Sequence, residues 1–176
     1  MREFDYSKLK DKTWNSEILI KVANIHEAKG RQEFYLAQKP EELNRLVEIA
    51  KIQSTEASNA IEGIRTTDSR LKQLVSEKTT PRNRNEKEIA GYRDALSIIN
   101  DSFEYIPLTP NYILQLHSIL CFYNDEVNYG GKYKNVQNYI STTDENGNSF
   151  TLFTPLSPFE TPMAMQNLCD EYNKAM

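Results

Sequence analysis

Histidine and cysteine are nearly missing from this chain, with two of each among 176 residues. Cys121 and Cys169 lie far apart and lack metal-ligand spacing, so they read as two buried thiols and no metal site is expected. His26 is expected on the surface and His117 on an apolar helix face. Neither has the neighbours of a nucleophile–base arrangement. Long apolar runs are also missing: nothing approaches the roughly 18 residues of a membrane helix. The segment Met1-Arg2-Glu3-Phe4-Asp5 lacks the apolar stretch of a signal peptide. Nor is there an excess of positive charge. A net charge of −4 argues against a general nucleic-acid binder. The expected partners therefore include neither nucleic acid nor membrane, and the expected compartment is the cytoplasm.

What is present suits a polar-surfaced globular chain, 39% hydrophobic and 26% charged, without repeats or low-complexity segments. Its length fits one domain or one and a half. Most of it has helical periodicity. Asn15 or Ser16 can cap a first helix carrying Leu19, Val22, Ala23 and His26, which Gly30 is expected to interrupt. Pro40 opens a second through Leu43, Leu46, Val47 and Ala50, running on to Glu62 with Gly63 as its stop. Thr67 or Asp68 caps a short helix with Leu71, Leu74 and Val75, and Thr79-Thr80-Pro81 breaks the chain. The charged stretch from Pro81 to Lys87 reads as a solvated helix entry. Ile89, Tyr92, Leu96, Ile99 and Phe103 then recur as one apolar face. Thr109-Pro110 starts a helix expected to bury Ile113, Leu114, His117, Leu120 and Cys121.

After Gly130-Gly131 the texture changes. Tyr133 to Thr143, with Val136, Tyr139 and Ile140, and then Phe150, Leu152 and Phe153 flank Asp144-Glu145-Asn146-Gly147-Asn148, whose Asn-Gly tolerates positive φ, so a β-hairpin is predicted. The acidic turn has too few ligands for a calcium loop. Thr161-Pro162 caps a last helix with Met165, Leu168, Cys169 and Tyr172. Its apolar stripe has nothing after it, which leads us to expect that the natural protein continues past Met176. The predicted fold is mainly α, a helical bundle with one β-hairpin.

The residues closest to chemistry are Ser58-Asn59-Ala60-Ile61-Glu62-Gly63. Ser58 and Glu62, four apart, share a helix face, while Ile61 is expected to point into packing. A glutamate at a helix end can be presented to a cation, and a guanidinium makes a bidentate pair with it. A solvated glutamate is the alternative, and the string alone does not decide. The string resembles the inhibitory motif Ser/Thr-x-x-x-Glu-Gly/Asn of the Fic (filamentation induced by cAMP) family, in the subgroup carrying it on an N-terminal helix. Further stretches resemble that family in the same order. They are Asn85 to Leu96, Leu114 to Leu120, Gly130 to Ile140, Phe153 to Pro158 and Leu168 to Asn173. The likeness spans roughly Lys39 to Met176. The family's catalytic loop, His-Pro-Phe-x-Asp/Glu-Gly-Asn-Gly-Arg, has no counterpart here, and neither histidine precedes proline.

The resemblance implies a division into 1–66, ending in the inhibitory helix, and 67–176, the first part of a Fic core with a flap hairpin at about 133–154. It implies a protein AMP-transferase that moves AMP from ATP to a protein hydroxyl. ATP and Mg are its cofactors, though neither is expected to bind tightly to this chain. No catalytic residue is expected here, so the chain alone should be inactive. Glu62 would be the inhibitory residue with Ser58 and Gly63 as motif partners. Val136, Gln137, Asn138, Tyr139, Ile140, Ser141 and Thr142 would form the flap that binds a target protein by strand addition. Lys134 stands where the family often has arginine. A homo-oligomer is a further possible partner. Two other readings stay open: an antitoxin-like helical protein inhibiting a separate Fic enzyme in trans, and a helical scaffold unrelated to nucleotides. The hairpin argues against the first, since an inhibitor has no need of a flap.

Overall fold

The computed structural model describes residues 5–7, 11–124 and 128–176. The N-terminal segment read above as free of an apolar leader lies, apart from Asp5, outside them. The chain is mainly α with one two-stranded antiparallel hairpin. The helices are α1 (Ser16–Gln38), α2 (Pro40–Ile61), α3 (Asp68–Ser76), α4 (Arg84–Ser102), α5 (Pro110–Leu120) and α6 (Thr161–Ala175). A 3-10 turn, Phe103–Tyr105, follows α4. The strands are β1 (Ile140–Thr143) and β2 (Ser149–Phe153). Among the described residues no helix is long and apolar enough to cross a membrane.

Local chemistry sets the helix starts. Asn15 Oδ1 accepts from the Ile18 N–H at 2.9 Å and Asn83 Oδ1 from Glu86 N–H at 3.0 Å. Thr67 caps α3 and Thr109 caps α5 in the same way. Pro40 and Pro110 occupy first turns, where their missing N–H groups cost nothing. Gly30 does not interrupt α1, which continues to Gln38. A glycine inside a helix costs only about 1 kcal/mol, too little to end it. The start of α6 also differs from expectation, because Thr161 is not its cap. Ser157 and Glu160 form a reciprocal pair just ahead of it: Ser157 N–H and Oγ donate to Glu160 Oε2 at 3.1 and 2.6 Å, and Glu160 N–H returns to Ser157 Oγ at 3.3 Å.

The apolar core sits where α2, α3 and α4 meet. Leu71, Leu74, Val75 and Ile89 form it, with Ile52 and Ile64 packed against it. The stripe expected on α4 is buried only at its start. Ile89 is buried, whereas Ile99 and Phe103 are 38% and 64% exposed. Small residues do the packing instead. A Cβ on Gly91 would meet the Leu120 carbonyl oxygen at 2.1 Å, so α4 and α5 touch backbone to backbone there. The face predicted for α5 is half-buried at Ile113, Leu114, His117 and Cys121, and Leu120 is exposed. Among the described residues α5 packs mainly against α4 and α6 and against the loop at Tyr129 to Gly131, which reaches Leu114, His117 and Ser118.

The expected solvated entry to α4 conceals a buried ion pair. Glu86, 3% exposed, takes Arg70 Nη2 at 2.7 Å and Nε at 3.0 Å, a bidentate bridge from α3 to α4, and also accepts from Arg82 N–H at 2.8 Å. Arg93, also buried, ties three elements. It donates to Leu74 O at 2.6 Å, to Asp94 at 2.7 Å and to the Tyr123 hydroxyl at 3.0 Å. These contacts lock α3 against α4, and α4 in turn fixes where α2 ends.

Candidate functional site

The end of α2 is built by backbone geometry. Asn59 O accepts from both Glu62 N–H at 3.1 Å and Ile64 N–H at 2.9 Å, and Gly63 N–H reaches Ala60 O at 3.0 Å. This closure needs a left-handed residue, and Gly63 supplies it at φ +76°. Asn59 is buried, and its Nδ2 donates to Thr55 O at 2.7 Å. The last turn of α2 is thereby fixed, and Glu62, its C-cap, is aimed outward.

Ser58 is half-buried and accepts a hydrogen bond from Tyr92 Oη at 2.9 Å, which joins α2 to α4. Periodicity had placed Tyr92 on the apolar face of α4, and spacing alone carries no sign of where its hydroxyl reaches. Glu62 is exposed, and its carboxylate has no hydrogen bond or ion pair among the described residues. Ile61 corrects the expectation made for it: it is 83% exposed rather than packed. With Asn59 turned inward and Ala60 half-buried, Ile61 and Glu62 face solvent as a neighbouring apolar and acidic pair. Glu62 also sits at the negative end of the α2 macrodipole, where a carboxylate is unfavourable by about 0.3–1 kcal/mol.

The hairpin is shorter than the sequence implied. Val136 to Tyr139 precede β1, and only Ile140, Ser141 and Thr142 of the seven flap residues lie in a strand. Val136 and Tyr139 are 67% and 60% exposed. Gln137 Nε2 donates to Pro155 O and Asn138 O, both at 2.9 Å, and so ties the base of one strand to the chain leaving the other. Register runs Thr142 to Phe150 and Thr143 to Ser149, then slips between Ile140 and Ser141, leaving Leu152 as the extra residue. Asp144 anchors the turn, its Oδ1 accepting from the backbone of Asn146 at 2.9 Å and Asn148 at 2.8 Å. These bonds hold the Asp144 carboxyl below its usual range, that from Asn148 most of all. With two strands in the sheet, each has one edge without a strand partner.

Beside the hairpin a cavity of about 590 Å³ opens against α6. Phe153, Pro155, Leu156, Ala164 and Met165 line it, and Lys134 is the one charged residue in the lining. Lys134 is half-buried without an ion pair among the described residues. Glu62 is not part of this lining. It stands on α2, whose packing partners are α1, α3 and α4, so the two halves of the expected site are separate features. His117 accepts from Gly131 N–H at 3.3 Å through Nδ1 and stacks on Tyr129, as a structural histidine does. His26 is exposed on α1.

Among the described residues no three His, Cys, Asp or Glu side chains are grouped to hold a metal. The string His-Pro-Phe-x-Asp/Glu-Gly-Asn-Gly-Arg does not occur in these 176 residues. No protein-family model matches the chain, and no curated protein matches it.

Proposed function

We propose that this chain is the regulatory and target-positioning part of a Fic-type protein AMP-transferase, and that Glu62 is its inhibitory carboxylate. The observation that carries the reading is the state of Glu62: exposed, unpaired among the described residues, and fixed at a helix end whose dipole disfavours it. A carboxylate so placed gains most from an incoming guanidinium, which would relieve the dipole and form a bidentate pair. Ile61 beside it adds an apolar anchor. Ser58, held by Tyr92, and Gly63, at positive φ, keep the last turn in place for that contact.

The arginine would come from a His-Pro-Phe loop outside these 176 residues, which would also bring the groups for Mg-ATP. An arginine engaged by Glu62 could not grip a terminal phosphate. The open edges of β1 and β2 would accept an extended target segment by strand addition, which would set its hydroxyl for transfer. The reaction would take place in the cytoplasm. Inhibition of a separate enzyme in trans is the second reading. The exposure of Ile61 beside Glu62 favours it, because an apolar and acidic pair facing solvent suits a partner surface.

The test is incorporation of labelled AMP in cells carrying the gene with its genomic neighbours, comparing the wild type with Glu62→Gly. The substitution is expected to raise labelling at least about tenfold, the loss of one charge-assisted contact. Equal labelling in both contradicts the proposal.

A further inference from the structure

The cavity beside the hairpin, about 590 Å³, plays no part in the reading of Glu62. Its volume lies within the roughly 300–1,000 Å³ of ligand pockets. Local chemistry holds its walls apart. Pro155 has a fixed φ, and its carbonyl accepts from Gln137 Nε2 at 2.9 Å. On the α6 side Thr161 Oγ1 donates to Ser157 O at 2.8 Å, so that hydroxyl is satisfied within the wall. Ala164 and Met165 complete an apolar surface there.

Against this surface stands one charge. Lys134 lines the cavity half-buried, without an ion pair among the described residues. No carboxylate belongs to the lining. Glu160, just ahead of α6, is taken up by Ser157, whose N–H and Oγ donate to it at 3.1 and 2.6 Å. A lysine that lays its stem along an apolar wall is common. That explains the half-burial but not the open apolar space that Lys134 borders. An apolar pocket with a single cation is complementary to an apolar group that carries a negative charge.

The position of the cavity sets the form of the occupant. Phe153 at the end of β2 lines it, and no residue of β1 does. Phe150 and Leu152 are exposed along the same strand, and β2 has one edge without a strand partner. A segment added along β2 reaches the end of the strand where the cavity opens. A small free carboxylate would use Lys134 and the apolar wall but would leave that edge unpaired.

We infer that this cavity is a docking site for an extended peptide of a partner protein, with one large apolar side chain and a carboxylate close to it. The apolar side chain fills the space against Phe153, Leu156 and Met165, and the carboxylate pairs with Lys134. The inference rests on the strand-addition part of the proposal above. Its test reads binding alone, so it stands or falls whatever Glu62→Gly does to labelling.

The test is display selection of a random nonapeptide library on this chain. The expected consensus carries Leu, Ile, Phe or Met within about two residues of Asp or Glu, the spacing of side chains on one strand face. A synthetic peptide of that consensus is expected to lose about tenfold or more in affinity for Lys134→Glu. A fresh selection on Lys134→Glu is expected to exchange Asp and Glu for Lys and Arg, which a damaged fold would not do. Thr154→Trp, at an exposed lining position, is expected to fill the space and remove the apolar preference. Decanoate binding as tightly as the peptide would assign the cavity to a small carboxylate. A dimer in light scattering that Thr154→Trp dissociates would assign it to a second copy. Either result overturns the inference, as does a selection without a consensus or one that Lys134→Glu leaves unchanged.

Discussion

At Glu86 two neighbours outweigh burial. Desolvation alone would raise its pKa, but the Arg70 fork, with help from the Arg82 N–H, lowers it from 4.5 to about 2. Between those values the folded chain binds fewer protons than the unfolded one, so the stabilisation is complete above pH about 4.5 and is lost as pH falls toward about 2. Glu86→Gln keeps the shape but removes the charge. It should cost about 2 kcal/mol at neutral pH, the worth of hydrogen bonds to a charged group. It should also flatten the dependence of Tm on pH across that window, which thermal melts at a series of pH values will show. Asp94 follows related logic. Burial would raise its pKa, yet the hydrogen bonds from Arg93 and Tyr123 win and hold it low. None of this could be read from composition. Glu86 sits in a run of charged residues, and its partner Arg70 lies 16 positions earlier on another helix. Asn15, Thr67 and Thr109, in contrast, declare themselves because a cap acts within three residues of its own position.

Where two elements meet, α4 and α5 offer a contest of known sizes. Alanine at an interior helix position is better than glycine by about 1 kcal/mol. At Gly91 the added Cβ would sit 2.1 Å from a backbone oxygen of Leu120, and a backbone cannot rotate away as a side chain can. Gly91→Ala should therefore destabilise, by up to about 2 kcal/mol net, since overpacking of about 1–3 kcal/mol outweighs a propensity gain of about 1 kcal/mol. A urea midpoint that moves down is the expected result, and one that moves up would show that α5 slides freely. The same contact explains why the apolar stripe on α4 misled. Periodicity marks the large residues, but this close helix crossing is made by a small one, Gly91 against the Leu120 backbone. The hairpin was legible from its Asn-Gly turn, and Gly147 indeed lies at φ +85°. Its length was not, because Val136 to Tyr139 have strand-like composition without a strand to pair with.

Across the whole molecule, the fold class could be read from periodicity and turn chemistry, while depth of burial could not. The main apolar cluster lies between α2, α3 and α4, α6 buries Ala164 and Cys169, and α1 buries no described residue. Long helices with capped starts form here with much of their apolar surface in water, which a pattern of apolar residues cannot foretell. The string from Ser58 to Gly63 was legible as a candidate because helix, carboxylate and glycine stop are local. Its link to Tyr92 was not, being 34 residues away in sequence. The proposal that joins these features is that Glu62 receives an arginine from outside the sequence. A crystal structure of the protein purified from cells carrying its gene and neighbouring genes tests this most directly. The account predicts the Glu62 carboxylate within about 3 Å of a guanidinium following a Gly-Asn-Gly segment. A Glu62 side chain in solvent, with that arginine engaged elsewhere or no such arginine present, would contradict it.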